Sequence, residues 1–141
     1  MKRRLVEQGA SGLVFAAMLP AVLAFVGLLV DGGAYLMARR ETQIAADAAV
    51  LAASQQVDWN AFEVNNTLVF EAGLVSTVGA NYGNENAPGS STACAAAGLR
   101  VTCTVQKVVD FSFMPLFGIA STRVTSTSTG ELLYGIVEDG Q

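Results

Sequence analysis

The sequence predicts an α+β membrane protein: a long N-terminal transmembrane helix that extends outside the membrane, then a small domain with one helix and an antiparallel β-hairpin. Three observations carry this. Gly9 to Val30 is a run of twenty-two residues without a charged side chain, which matches the roughly 20 apolar residues a helix needs to cross a bilayer. Ala34 to Val57 contains no proline or glycine and is dense in strong helix formers. From Leu99 to Gln106 the apolar period shortens to two, the pattern of a half-buried strand. The expected divisions are residues 1–8, a basic cytoplasmic leader; 9–57, the transmembrane helix and its extension; and 58–141, a small extracytoplasmic domain.

Lys2, Arg3 and Arg4 precede the apolar run, and the positive-inside tendency keeps such a flank in the cytoplasm. Beyond Val30 the chain holds eleven acids against five bases, so it offers no concentrated basic face for nucleic acid. A cleaved secretory signal is the rival reading, with small residues at Gly32 and Ala34 for a peptidase. The length of the run favours an uncleaved anchor. Pro20 removes the backbone donor that would bond to Ala16 and predicts a kink, which membrane helices tolerate.

Read continuously from Leu5 to Val57, the helix would measure about 80 Å at about 1.5 Å per residue. A rod of that length is expected to project or to pack on other copies or other subunits. Ala16, Pro20, Ala24, Gly27, Asp31, Ala34, Ala38, Thr42, Ala45, Ala49 and Ala52 recur at a mean step of about 3.6, the helical period. Small residues let helix backbones approach closely, so this stripe is the candidate helix-packing face. Asp31 is its one charge and needs a partner or water if the face is packed.

Ser54 to Asn66 reads as a break around Trp59 and Phe62. A second helix is expected from Thr67 to about Asn81, capped by Asn66, with Leu68, Ala72, Val75, Gly79 and Tyr82 on its buried face. Gly83 to Thr92 reads as a loop by composition. After the strand at Leu99, the apolar cluster Phe111 to Ile119 makes a connection, and a second strand follows at about Thr122 to Thr129. Such a cluster is either the core of a small sheet or a partner surface.

Cys94 and Cys103 are the only cysteines and do not fit a zinc pattern. Downstream of a membrane anchor they are expected to form a disulfide, worth roughly 2–3 kcal/mol by loop entropy and stable in an oxidising compartment. The alternative is two free buried thiols. The absence of histidine excludes the histidine-dependent triads and zinc motifs, and no glycine-rich phosphate loop is present. The carboxylates at Asp58, Glu63 and Glu71 have no spacing that marks an acid–base pair. No catalytic, cofactor or metal site is expected, and no small-molecule substrate.

The order of a basic start, a glycine, an apolar run with an internal proline and then VDGGAYLMARRETQIAADAAVLAA resembles the N-terminal region of TadE/TadG-like proteins of the Flp (Tad) type IV pilus system. The elements that carry the resemblance are Gly9, Pro20, Val30-Asp31, Tyr35, Arg39-Arg40 and the AADAA run around Asp47, over roughly residues 8–54. The segment FSFMPLFGIASTRVTSTSTG is similar to the one that often closes short members of that family. The resemblance implies a single-pass inner-membrane or pseudopilin-like protein with its C-terminal part outside the cytoplasm, and makes Gly9 a candidate processing site. A pseudopilin of this kind carries a glutamate five residues after the processing glycine; here that position is Val14, and the nearest carboxylate, Glu7, precedes the glycine. This places the chain closer to the TadG-like side, although the DxSxS motif of the larger members is absent.

The expected function is therefore a structural or assembly component of a Flp/Tad-type pilus. Its expected partners are the membrane and, through the long helix, other assembly proteins or pilin subunits. The stripe and the Asp47 neighbourhood would serve helix packing. The alternative is a membrane-tethered or secreted binding module with no pilus role, whose helix is only a tether.

Overall fold

A computed structural model describes residues 2–132, with side chains described from residue 12 onward. The leader side chains Lys2, Arg3 and Arg4, and the candidate processing residue Gly9, lie outside the described side chains. The helix α1 runs from Lys2 to Ala53 without a break, through Pro20 and through Gly32-Gly33. It ends four residues before the expected limit at Val57, where Ser54 and Gln55 form a turn.

By packing, the described residues divide into two units: those up to 36 with 109–122, and 37–108 with those from 123 onward. Within the second, α2 (Trp59–Asn65) and α3 (Ala72–Asn86) precede strands β1 (Ser90–Ala97) and β2 (Arg100–Asp110), and β3 (Ser121–Glu131) completes a sheet of order β1-β2-β3. The sheet therefore has one strand more than the expected hairpin, and the domain one helix more.

The turn chemistry explains both differences. Asp58 accepts the Ala61 N–H at 2.9 Å and starts α2 inside the expected break. Asn66 closes α2 in the left-handed conformation, φ 51°, instead of opening the next helix. The second helix accordingly starts at Ala72 rather than Thr67, and buries Val75, Gly79 and Gly83. Tyr82, expected on that face, is exposed. Gly98, at φ 61°, makes a two-residue turn with Leu99, so Ala97 pairs with Arg100 and Cys94 falls opposite Cys103.

One face of the sheet is apolar. Val101, Cys103 and Val105 of β2 are fully buried, and their alternating neighbours Thr102 and Thr104 form the other face, where they bond to Thr129 and Thr127 of β3. The apolar face packs on Ala45, Ala46, Ala49, Val50 and Ala53 of α1 and on Val75 of α3. The last turns of α1 thus supply the centre of this unit's core.

Candidate functional site

The helix-packing stripe has been assigned a partner along much of its length, and the partner is this chain. Ala38, Thr42, Ala45 and Ala49 are buried, the last three completely. Ala45 and Ala49 sit in the two apolar clusters of the sheet domain, and Thr42 shares a hydrogen bond of 2.9 Å with Ser126 of β3. The expectation that so long a helix must project or pack on other subunits does not hold for these turns. Alanines at this spacing let the backbone approach its own sheet. Asp47, on the opposite side, is exposed and accepts a hydrogen bond from Gln43 at 3.1 Å.

In the first unit, the same stripe meets the connection between β2 and β3. Asp31 is 2 % exposed. Its Oδ1 accepts the backbone N–H of Ser112 at 2.8 Å, and its Oδ2 accepts those of Phe113 at 2.9 Å and Met114 at 2.7 Å. These are the free donors at the start of the 3₁₀ turn Met114–Phe117. A carboxylate is the side chain best suited to this task, because two acceptor oxygens serve three converging N–H groups. One turn earlier, Gly27 is buried under Phe113; a Cβ at Gly27 would lie 2.7 Å from the ring carbon Cγ. Glycine is required here by contact, not by backbone angle.

The connection is otherwise apolar and open. Leu116 is 83 % and Phe117 70 % exposed, so this cluster is not the core of the sheet. With Pro20, Ala24, Gly27 and Leu28 of α1, the turn lines a groove of about 720 Å³. Of the remaining stripe positions, Ala16 and Ala34 are exposed, as are Pro20 and Ala24 at the groove's rim, and Ala52 is half-buried. Sequence reasoning found Asp31 as a charge in need of a partner but missed Ser112, Phe113 and Met114. Backbone donors more than eighty residues away leave no mark in local pattern.

Cys94 and Cys103 are joined in a disulfide between directly opposed residues of β1 and β2, with Cα atoms 4.1 Å apart. It crosses the buried face, and Gly79 of α3 lies against Cys94, where a Cβ would come within 2.9 Å of the cysteine Cβ. Among the described residues, no three metal-ligating side chains gather.

Taken together, the fold joins one long helix to a small disulfide-bonded α+β domain, and α1 is, among the described residues, the one helix long and apolar enough to cross a membrane. Residues 9–56, about a third of the chain, match the family described as putative Flp pilus-assembly TadE/G-like. The matched stretch lies on α1 and the first residues after it. No curated protein and no solved structure matches the chain.

Proposed function

We propose that this chain is a structural component of Flp (Tad) pilus assembly, held in the cytoplasmic membrane by α1 with its N-terminus inside and its sheet domain outside. The observation that carries the reading is the coincidence of the TadE/G-like match, residues 9–56, with α1. That family region suggests a pilus-related role at a membrane; the basic flank and the disulfide, which belongs to an oxidising compartment, support the orientation.

The helix acts by packing, and its contacts with other subunits use the positions its own chain leaves open. These are Ala16 and Ala34 on the stripe and the surface around Asp47. Small exposed residues on a membrane helix favour close helix–helix approach.

The test is made in cells that assemble the pilus. Deletion of the gene is expected to abolish or reduce surface pili, and the tagged full chain is expected to bring down other assembly proteins from membranes. Ala16→Leu and Ala34→Leu should reduce that association without disturbing the sheet domain. Normal piliation after deletion, together with no co-purifying assembly protein, would sink the proposal.

A further inference from the structure

We infer that the β2–β3 connection, Phe113 to Phe117, is a second membrane-inserted element whose apolar tip lies among lipid acyl chains beside α1. The inference rests on α1 crossing the membrane and adds to it a part of the chain far from the anchor in sequence.

Three independent observations converge. First, the tip lies alongside the uncharged stretch of the helix: Phe113 covers Gly27, and Leu116 and Phe117 line one groove with Pro20, Leu23 and Ala24. Second, its side chains suit hydrocarbon and not water. Phe111 to Ala120 has no charged residue, and Leu116 and Phe117 are exposed beside exposed Leu23 and Leu28 of the helix.

Third, most of the turn's backbone N–H groups are satisfied within the protein. Unsatisfied backbone groups are costly in hydrocarbon, so each internal bond lowers the cost of placing this turn beside lipid. Phe111 N–H bonds to Ala120 at 2.9 Å, Leu116 to Phe113 at 3.1 Å, Gly118 to Pro115 at 3.0 Å and Ile119 to Met114 at 3.2 Å. Ser112, Phe113 and Met114 donate to Asp31, and Pro115 has no N–H to satisfy. A solvated surface loop gains little from pairing so many of its donors, because water supplies the missing acceptors.

The occupant of the groove is lipid, not a partner helix. Leu13, Phe15, Met18, Leu19, Val22 and Leu23 are exposed around much of α1 here, the pattern of a segment in contact with hydrocarbon. The groove opens onto that same surface.

The full chain, carrying Trp59→Phe to remove its one native indole, is reconstituted into phosphatidylethanolamine–phosphatidylglycerol vesicles. Leu116→Trp reports on the tip and Leu23→Trp on the anchor, each read by quenching from lipids brominated on the acyl chains. Both indoles are expected to lose most of their emission. Adding Asp31→Ala should restore the emission of the Leu116→Trp protein and leave that of Leu23→Trp quenched. If Leu23→Trp is quenched and Leu116→Trp is not, the anchor stands and the tip faces water or protein, which overturns the inference. If neither is quenched, the membrane reading itself fails. If Asp31→Ala leaves the tip quenched, the carboxylate is not what holds it there.

Discussion

The hydroxyl of Thr42, on α1, and that of Ser126, on β3, meet at 2.9 Å in a site that excludes water from both residues. Thr42 also donates to the Arg39 carbonyl at 3.1 Å. A carbonyl only accepts, so the threonine proton goes to Arg39 and Ser126 is the donor to Thr42.

Removal of one hydroxyl strands the other. Thr42→Val should destabilise the sheet domain by about 1–3 kcal/mol, because the Ser126 proton is left buried without an acceptor. The double variant Thr42→Val, Ser126→Ala should be less damaged than the single one. Thermal unfolding of the detergent-solubilised full chain, followed by near-ultraviolet circular dichroism, measures both. A double variant no better than Thr42→Val would show that the pair is not coupled.

The glycines of α3 separate packing from conformation. Gly79→Ala places a methyl against Cys94 and, at 3.2 Å, against Ala53, and should cost about 1–3 kcal/mol. Gly73, in the same helix, has nothing within 4 Å of its would-be Cβ. Gly73→Ala should instead stabilise by about 0.4–1 kcal/mol through the unfolded chain. Equal effects of opposite expectation in the same unfolding assay would refute the close approach of α3 to the disulfide.

The bond between Cys94 and Cys103 spans nine residues, and its reduction should lower stability by about 2–3 kcal/mol. In cells, both thiols should resist alkylation by a maleimide until a reductant is added. In a strain without a periplasmic disulfide oxidase they should react, with no reductant, once the protein is denatured and the buried Cys103 is opened. Reactive thiols in both strains would place the sheet domain in a reducing compartment.

Ala49 and Ala34 belong to one stripe but predict opposite phenotypes. Ala49 is completely buried in the domain core, so Ala49→Leu should overpack it and cost about 1–3 kcal/mol. Ala34 is exposed, and Ala34→Leu should leave the unfolding temperature unchanged while it weakens co-purification with assembly proteins. Loss of stability in both would mean that Ala34 is enclosed as well.

The periodic parts of this fold are legible in the sequence. A long apolar run, a glycine-free alanine-rich continuation and the alternation from Leu99 to Gln106 each report their element through a local rule. Strand β1 does not. Ser90–Ala97 reads SSTACAAA, residues with weak strand preference, and forms a strand because Cys94 is tied to Cys103 and because α3 covers it at Gly79 and Gly83. Asn66 was ambiguous for another reason: asparagine both opens helices as a side-chain acceptor and closes them in the left-handed region, and only the neighbouring cap, Asp58, decides between them. The small stripe was visible as a pattern but not as to its partner. Close approach to a sheet and close approach to a second helix demand the same alanines.

The core of the sheet domain contains Ala45, Ala46, Ala49, Val50 and Ala53, all contributed by α1. Cleavage after α1 is therefore not a route to a folded free fragment of this protein. A protease that cuts between Ala53 and Trp59 would release strands and helices stripped of the residues they close around. A soluble secreted version would have to begin upstream of Ala38, and the anchor cannot be exchanged for an unrelated membrane helix without keeping its last four turns.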